Sequence, residues 1–108
     1  VYTIHHVNMV YEKIDYHVTG SLDAVAEADE TAIKVHIDEL TRFWKDEEDQ
    51  LIHLIRHAAI DDITKSIARL QALTSGEDYS ELAAELASIR WQMEHIHRTE
   101  QMILSNVL

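Results

Sequence analysis

Apolar residues recur three and four positions apart along most of the chain, the spacing that lays one stripe along a helix. The first series is Ile4, Val7, Tyr11, Ile14, Val18 and Val25, with Ser21 in register before the last. The second is Ile33, Ile37, Leu40, Trp44, Leu51, Leu54 and Ala58, with Glu47 in register. The third, Ile60, Ile63, Ile67 and Leu70, is out of phase with the second, because continuing the second would turn Asp61 and Lys65 inward. A change of direction is therefore expected at residues 57–61, although no breaker residue stands there. The fourth series is Leu82, Leu86, Ile89, Met93, Ile96, Ile103 and Val107, with Glu100 in register.

Punctuation fits this division. Asp29 is placed to cap the second helix, accepting from a backbone N–H that has no partner in the first turn. Thr74-Ser75-Gly76-Glu77-Asp78 is the clearest break. Gly76 is suited to the left-handed conformation that closes a helix, and Asp78 with Glu81 reads as a variant capping box opening the next. Gly20 falls inside the first helix, at a cost of about 1 kcal/mol relative to alanine. The pattern predicts an all-α fold: an antiparallel bundle of three to four long amphipathic helices at about residues 2–28, 30–57, 59–74 and 78–106. Residues 1–108 form one domain, helical over more than about four-fifths of its length, with no strand.

Composition narrows the picture further. No proline and only two glycines leave little with which to turn strands. The absence of cysteine excludes disulfides, thiolate metal sites and cysteine nucleophiles. A net charge of −11 argues against nucleic acid as a partner, since phosphate backbones repel such a surface. No run of about twenty apolar residues is present to span a bilayer. The chain opens on Val1, so a leader, anchor or tag is expected to precede it.

Eight histidines invite a metal hypothesis. Glu94 and His97 make the Glu-x-x-His step used by di-iron bundles, and His53 and His57 stand four apart. A di-iron centre needs two such steps and two more inward carboxylates, and only one step is present. Helical phase puts Glu94 and His53 toward water, so His53, His57, Glu94 and His97 are not expected to converge on one ion. Folding the chain at Gly76 and at Asp29 brings His97, His5, His6 and His53 to one end, giving a histidine-rich, pH-responsive end as the alternative. Asp46-Glu47-Glu48-Asp49 lies mid-helix without the glycine-turned loop of a calcium site, and reads as a solvated face. Trp44 belongs to an apolar stripe, whereas Trp91 lies off its stripe and marks a possible contact surface. Glu100, inward between Ile96 and Ile103, either accepts a hydrogen bond from His57 or reaches solvent past the helix end. No Ser/His/Asp arrangement, phosphate-binding glycine loop or inward carboxylate pair is recognisable.

Trp44, His57 with Ile60-Asp61, Ser66-Ile67-Ala68-Arg69-Leu70, Glu94-His95-Ile96, Glu100 and the terminal Asn106-Val107-Leu108 resemble the bacterial family catalogued as domain of unknown function 4363. The resemblance runs from about residue 40 to the end. Ala59 stands where the His-x-Glu-Ile-Asp pattern has glutamate, and His97 stands where proline is expected. The resemblance implies an N-terminal signal or membrane anchor and an extracytoplasmic domain tethered to the bacterial cell membrane. It implies no activity and no cofactor.

The expected function is therefore a non-catalytic helical interaction or structural domain. It would have a protein partner or self-association, no nucleic acid, and contact with membrane only through a preceding segment. The alternative is a metal- or pH-sensing bundle.

Overall fold

A computed structural model of the chain describes residues 2–107 except Leu54, Glu77 and Asp78, with side chains from His5 to Ile103. Four helices, α1 (Tyr2–Ala26), α2 (Glu30–Leu51), α3 (His57–Leu73) and α4 (Ser80–Val107), take up 89% of the described residues, with no strand among them. Each packs on its neighbours in sequence and α1 closes against α4, while among the described residues the backbones of the diagonal pairs stay apart. The result is an up-down-up-down bundle 48 Å long and about 20 Å across.

The four stripes meet along its axis. Val7, Val10, Ile14 and Val18 of α1 face Ile33, Ile37, Leu40 and Trp44 of α2, with Ile60, Ile63, Ile67 and Leu70 of α3 and Leu82, Leu86, Ile89 and Met93 of α4 closing the square; all are buried. The polar residues in register are each satisfied differently. Ser21 is fully buried and donates its hydroxyl to the carbonyl of His17, 2.8 Å away, one turn back. Glu47 sits at the edge of the core, its carboxylate 2.8 Å from Nε2 of His6. Trp44 Nε1 donates to Thr64 Oγ1 at 2.9 Å, and that hydroxyl donates onward to Glu48 Oε2 at 3.0 Å, tying α2 to α3.

The reversals differ from expectation in two places. The second helix stops at Leu51 rather than near residue 57, and the change of direction falls at residues 52–56, ahead of 57–61. The two stripes drive this: Leu40, Trp44 and Leu51 are out of phase with Ile60, Ile63, Ile67 and Leu70, and both series reach the core because the helix is interrupted between them, with Arg56, in extended backbone, launching α3 antiparallel. Ala58, expected inward as the tail of the second stripe, is consequently exposed. At the third reversal Gly76 is not left-handed; its N–H bonds to the carbonyl of Leu73, and Thr74 closes α3 by donating its hydroxyl to the Gln71 carbonyl at 2.7 Å. The proposed Asp78 cap lies outside the described residues.

The left-handed residue is Ala28, φ 54°, at the end of α1. Ala28 N–H reaches the Val25 carbonyl and Asp29 N–H the Ala24 carbonyl, a double closure of the Schellman type. Asp29 then caps α2 as expected, its carboxylate accepting from Ala32 N–H at 3.1 Å. One residue thus ends a helix while its neighbour begins the next, which fixes how α1 and α2 register.

Two substitutions test this construction. Ala28→Gly removes the steric cost of the left-handed backbone and is expected to stabilise the fold by about 1 kcal/mol. Thr64→Val keeps the shape but strands the buried Trp44 N–H, and is expected to cost about 1–3 kcal/mol. Urea denaturation monitored by circular dichroism measures both.

Candidate functional site: a cationic groove and a histidine cluster

The four residues first singled out for metal chemistry do not form one group in the structure. His53 lies exposed in the turn after α2, and His57 is exposed at the first residue of α3. Glu94 pairs with Arg98 one turn on along α4. His97 is held by α1: Nε2 bonds to the Asn8 amide oxygen, and the ring stacks on Tyr11 with centroids 4.4 Å apart and planes 8° from parallel. Asp15 takes Arg90 of α4 in the same way, at 3.1 Å. These contacts are the polar seam by which α4 docks on α1.

Among the described residues no hydrogen bond or ion pair joins Glu100 to His57. The opposite charge that Glu100 feels is Arg56, from the connection beneath it. Burial against the bundle end raises the Glu100 pKa above the ordinary glutamate value, and Arg56 offsets part of that rise.

Trp91 is 65% exposed on α4. Its ring lies parallel to that of His95, one turn on, at 5.3 Å between centroids. Two depressions in the groove between α3 and α4 meet at this residue. One, about 220 Å3, is floored by Ala58, Ala59 and Ile96 and edged by Arg56 and His95. The other, about 370 Å3, is bounded by Lys65, Ser66, Arg69 and Ser88. Asp62, Trp91 and Gln92 belong to both. Gln92 Nε2 donates to the hydroxyls of Ser66 and Ser88, each at 3.1 Å, which leaves its buried Oε1 as an acceptor without a protein donor. Arg69 is fixed by Glu85, with Nε 2.9 Å and the terminal nitrogen 2.7 Å from the same oxygen.

A second cluster was missed by sequence reasoning. His17 on α1 and His36 and Glu39 on α2 bring one potential ligand atom each within 4.8 Å of one another. The residue that permits it is Gly20: a Cβ there would stand 2.6 Å from Cε1 of His36, so the imidazole lies flat over α1 where only glycine leaves room. His17 Nδ1 is 3.8 Å from Glu39 Oε2. Burial lowers the His17 pKa below its usual value against the pull of Glu39, and His36 and Lys13 add to the lowering, so the ring is neutral at physiological pH. The legible signal was the step His36-x-x-Glu39 together with His17 at the mirror position about a turn near residue 27. The same symmetry pairs His6 with Glu47 rather than with His53.

A short acidic up-down four-helix bundle, with an aromatic-edged groove on one face and no recognisable catalytic constellation among its described residues, defines the class of protein. The chain belongs to the family described as domain of unknown function 4363, whose model matches residues 1–107 and so includes the first helix as well as the later motifs. No curated protein and no solved structure matches it.

Glu100 gives a pH test. A carboxyl whose pKa is raised by folding holds its proton more tightly in the folded state, so it withdraws stability as pH rises from the ordinary glutamate range through the raised value. Melting temperature followed between about pH 4 and 7 is expected to fall less steeply for Glu100→Gln than for the wild type. Glu100→Ala is expected to shift the midpoint little, since it strands no hydrogen-bonded partner.

Proposed function

We propose that this chain is a non-catalytic interaction domain that docks an acidic, apolar-anchored segment of a partner protein in the α3–α4 groove. The family resemblance adds the reading that it does so outside the bacterial cell membrane, on a protein anchored there by an N-terminal segment. The observation that carries the proposal is Trp91, a large aromatic held in the open where two depressions meet. Exposed tryptophans of this kind are enriched among the residues that dominate protein interfaces. Charge indicates the partner. Arg56, Lys65 and Arg69 line the groove against one lining acid, Asp62; Arg69 is paired with Glu85, which leaves Lys65 and Arg56 to give the groove its cationic character on an acidic molecule. A segment with carboxylates flanking one apolar side chain would satisfy Lys65 and Arg56 and seat its anchor on Ala58, Ala59 and Ile96 beside Trp91. The unpartnered acceptor on Gln92 offers a place for a backbone N–H of such a segment.

A second reading, a metal- or proton-sensing bundle, is favoured by a different observation, the convergence of His17, His36 and Glu39.

The test is photo-crosslinking in cells expressing the full-length gene, with a photoreactive amino acid in place of Trp91. A discrete protein adduct is expected, lost when Lys65→Glu and Arg69→Glu are introduced together and retained with Lys34→Glu on the outer face of α2. Absence of an adduct, or one indifferent to the groove charges, overturns the docking proposal. Protease accessibility of the same protein in intact cells, with the outer layers removed, tests the extracytoplasmic placement.

A further inference from the structure

We infer that His17, His36 and Glu39 form a zinc-class divalent metal site at the α1–α2 interface, with three protein ligands and an open fourth position. The case rests on convergence across two helices, not on histidine abundance. Two imidazoles and one carboxylate are the donor set that suits a borderline ion such as Zn2+. His17 Nδ1 and His36 Nδ1 are both buried and make no hydrogen bond, so each ring carries a nitrogen that neither solvent nor protein satisfies. A bound cation would take one nitrogen from each ring.

The geometry is close to a bound one. The ligand atoms span up to 4.8 Å, and around a tetrahedral zinc they stand about 3.3 Å apart. Closing that gap needs only a rotation of the Glu39 carboxylate, whose side chain is 47% exposed, and a small tilt of the rings. Gly20 fixes the His36 ring in place on one side. The neighbouring depression, which His36 also lines, carries Glu12 and Asp23 along with Asp15, whose charge Arg90 pairs, and the remaining carboxylates favour a cation. Of the cations near it, Lys13 lies over the Phe43 ring, its ammonium 5.8 Å from the centroid, and Arg90 is held by Asp15 and Thr19. The face is opposite the α3–α4 groove, because α1–α2 and α3–α4 are opposite sides of the square. Metal binding and partner docking therefore test separately.

The experiment is isothermal titration of untagged, chelator-treated protein with ZnCl2 at neutral pH, together with the visible spectrum on titration with CoCl2. One equivalent of zinc is expected per chain, with a cobalt absorption of low-symmetry, four- or five-coordinate type. His36→Gln, His17→Gln and Glu39→Gln are each expected to weaken zinc binding about tenfold or more, since each removes a ligand from a three-ligand set. His53→Gln and His97→Gln are expected to leave it unchanged. No uptake by the wild type overturns the site, as does zinc affinity unchanged in His17→Gln or lost only with His53 or His97. Because His36 packs tightly, its variant is checked by circular dichroism; should it fail to fold, Glu39→Gln, at a largely exposed side chain, decides the matter.

Discussion

Each helix of this protein has a single apolar stripe, and none of the four stripes can leave water except against the other three. Twenty hydrophobic side chains are buried along the shared axis, drawn from every helix and from the 52–56 connection. Full burial of one such aliphatic side chain is worth about 1.5–3 kcal/mol, and an isolated helix of these lengths is marginal in water. Packing of the stripes therefore has to supply the order that local propensity does not. It also explains why α2 ends where it does. Continuing one regular helix into α3 would hold the backbone at the expense of the α3 stripe, which is out of phase with that of α2, and the chain gives up the helix instead.

Once the stripes are closed, polar residues that fall on them must find partners within the bundle, and those partners are the origin of its specificity. Ser21 turns back on its own helix, Trp44 reaches Thr64 and through it Glu48, and Glu47 meets His6. Each of the last two links joins a different helix pair at a fixed height, so a slide by one turn would leave a buried N–H or carboxylate unpaired. The Asn8–His97 and Asp15–Arg90 contacts do the same for α1 and α4.

The two candidate sites follow from the same frame. On one side, α3 and α4 leave a groove because Ala58, Ala59, Ser66 and Ser88 are small, and Trp91 stands beside it because its position is off the α4 stripe. On the opposite side, the His36 ring settles against α1 because Gly20 has no side chain, and the histidines of the two helices meet there. Neither site requires the other, although both depend on the closed core for their geometry.

The sequence by itself determined the all-helical class, the apolar faces, the Asp29 cap and the exposed setting of Trp91, and left three helices or four to the fold. All of these follow from periodicities of three to four residues and from the local chemistry of helix ends. It also put Ser21, Glu47 and Glu100 on the stripes. Only the tertiary structure decided what each of them meets. Glu47 found His6, and the charge near Glu100 is Arg56 and not His57, because register across helices depends on where each reversal is centred. A shift of two to six residues in a helix end, such as that of α1 at Ala26 instead of 28 and of α2 at Leu51 instead of 57, moves every cross-helix neighbour by half a turn or more. That is why the pairing of His17 with His36 was hidden: both residues were visible in the sequence, but the distance between them belongs to the fold.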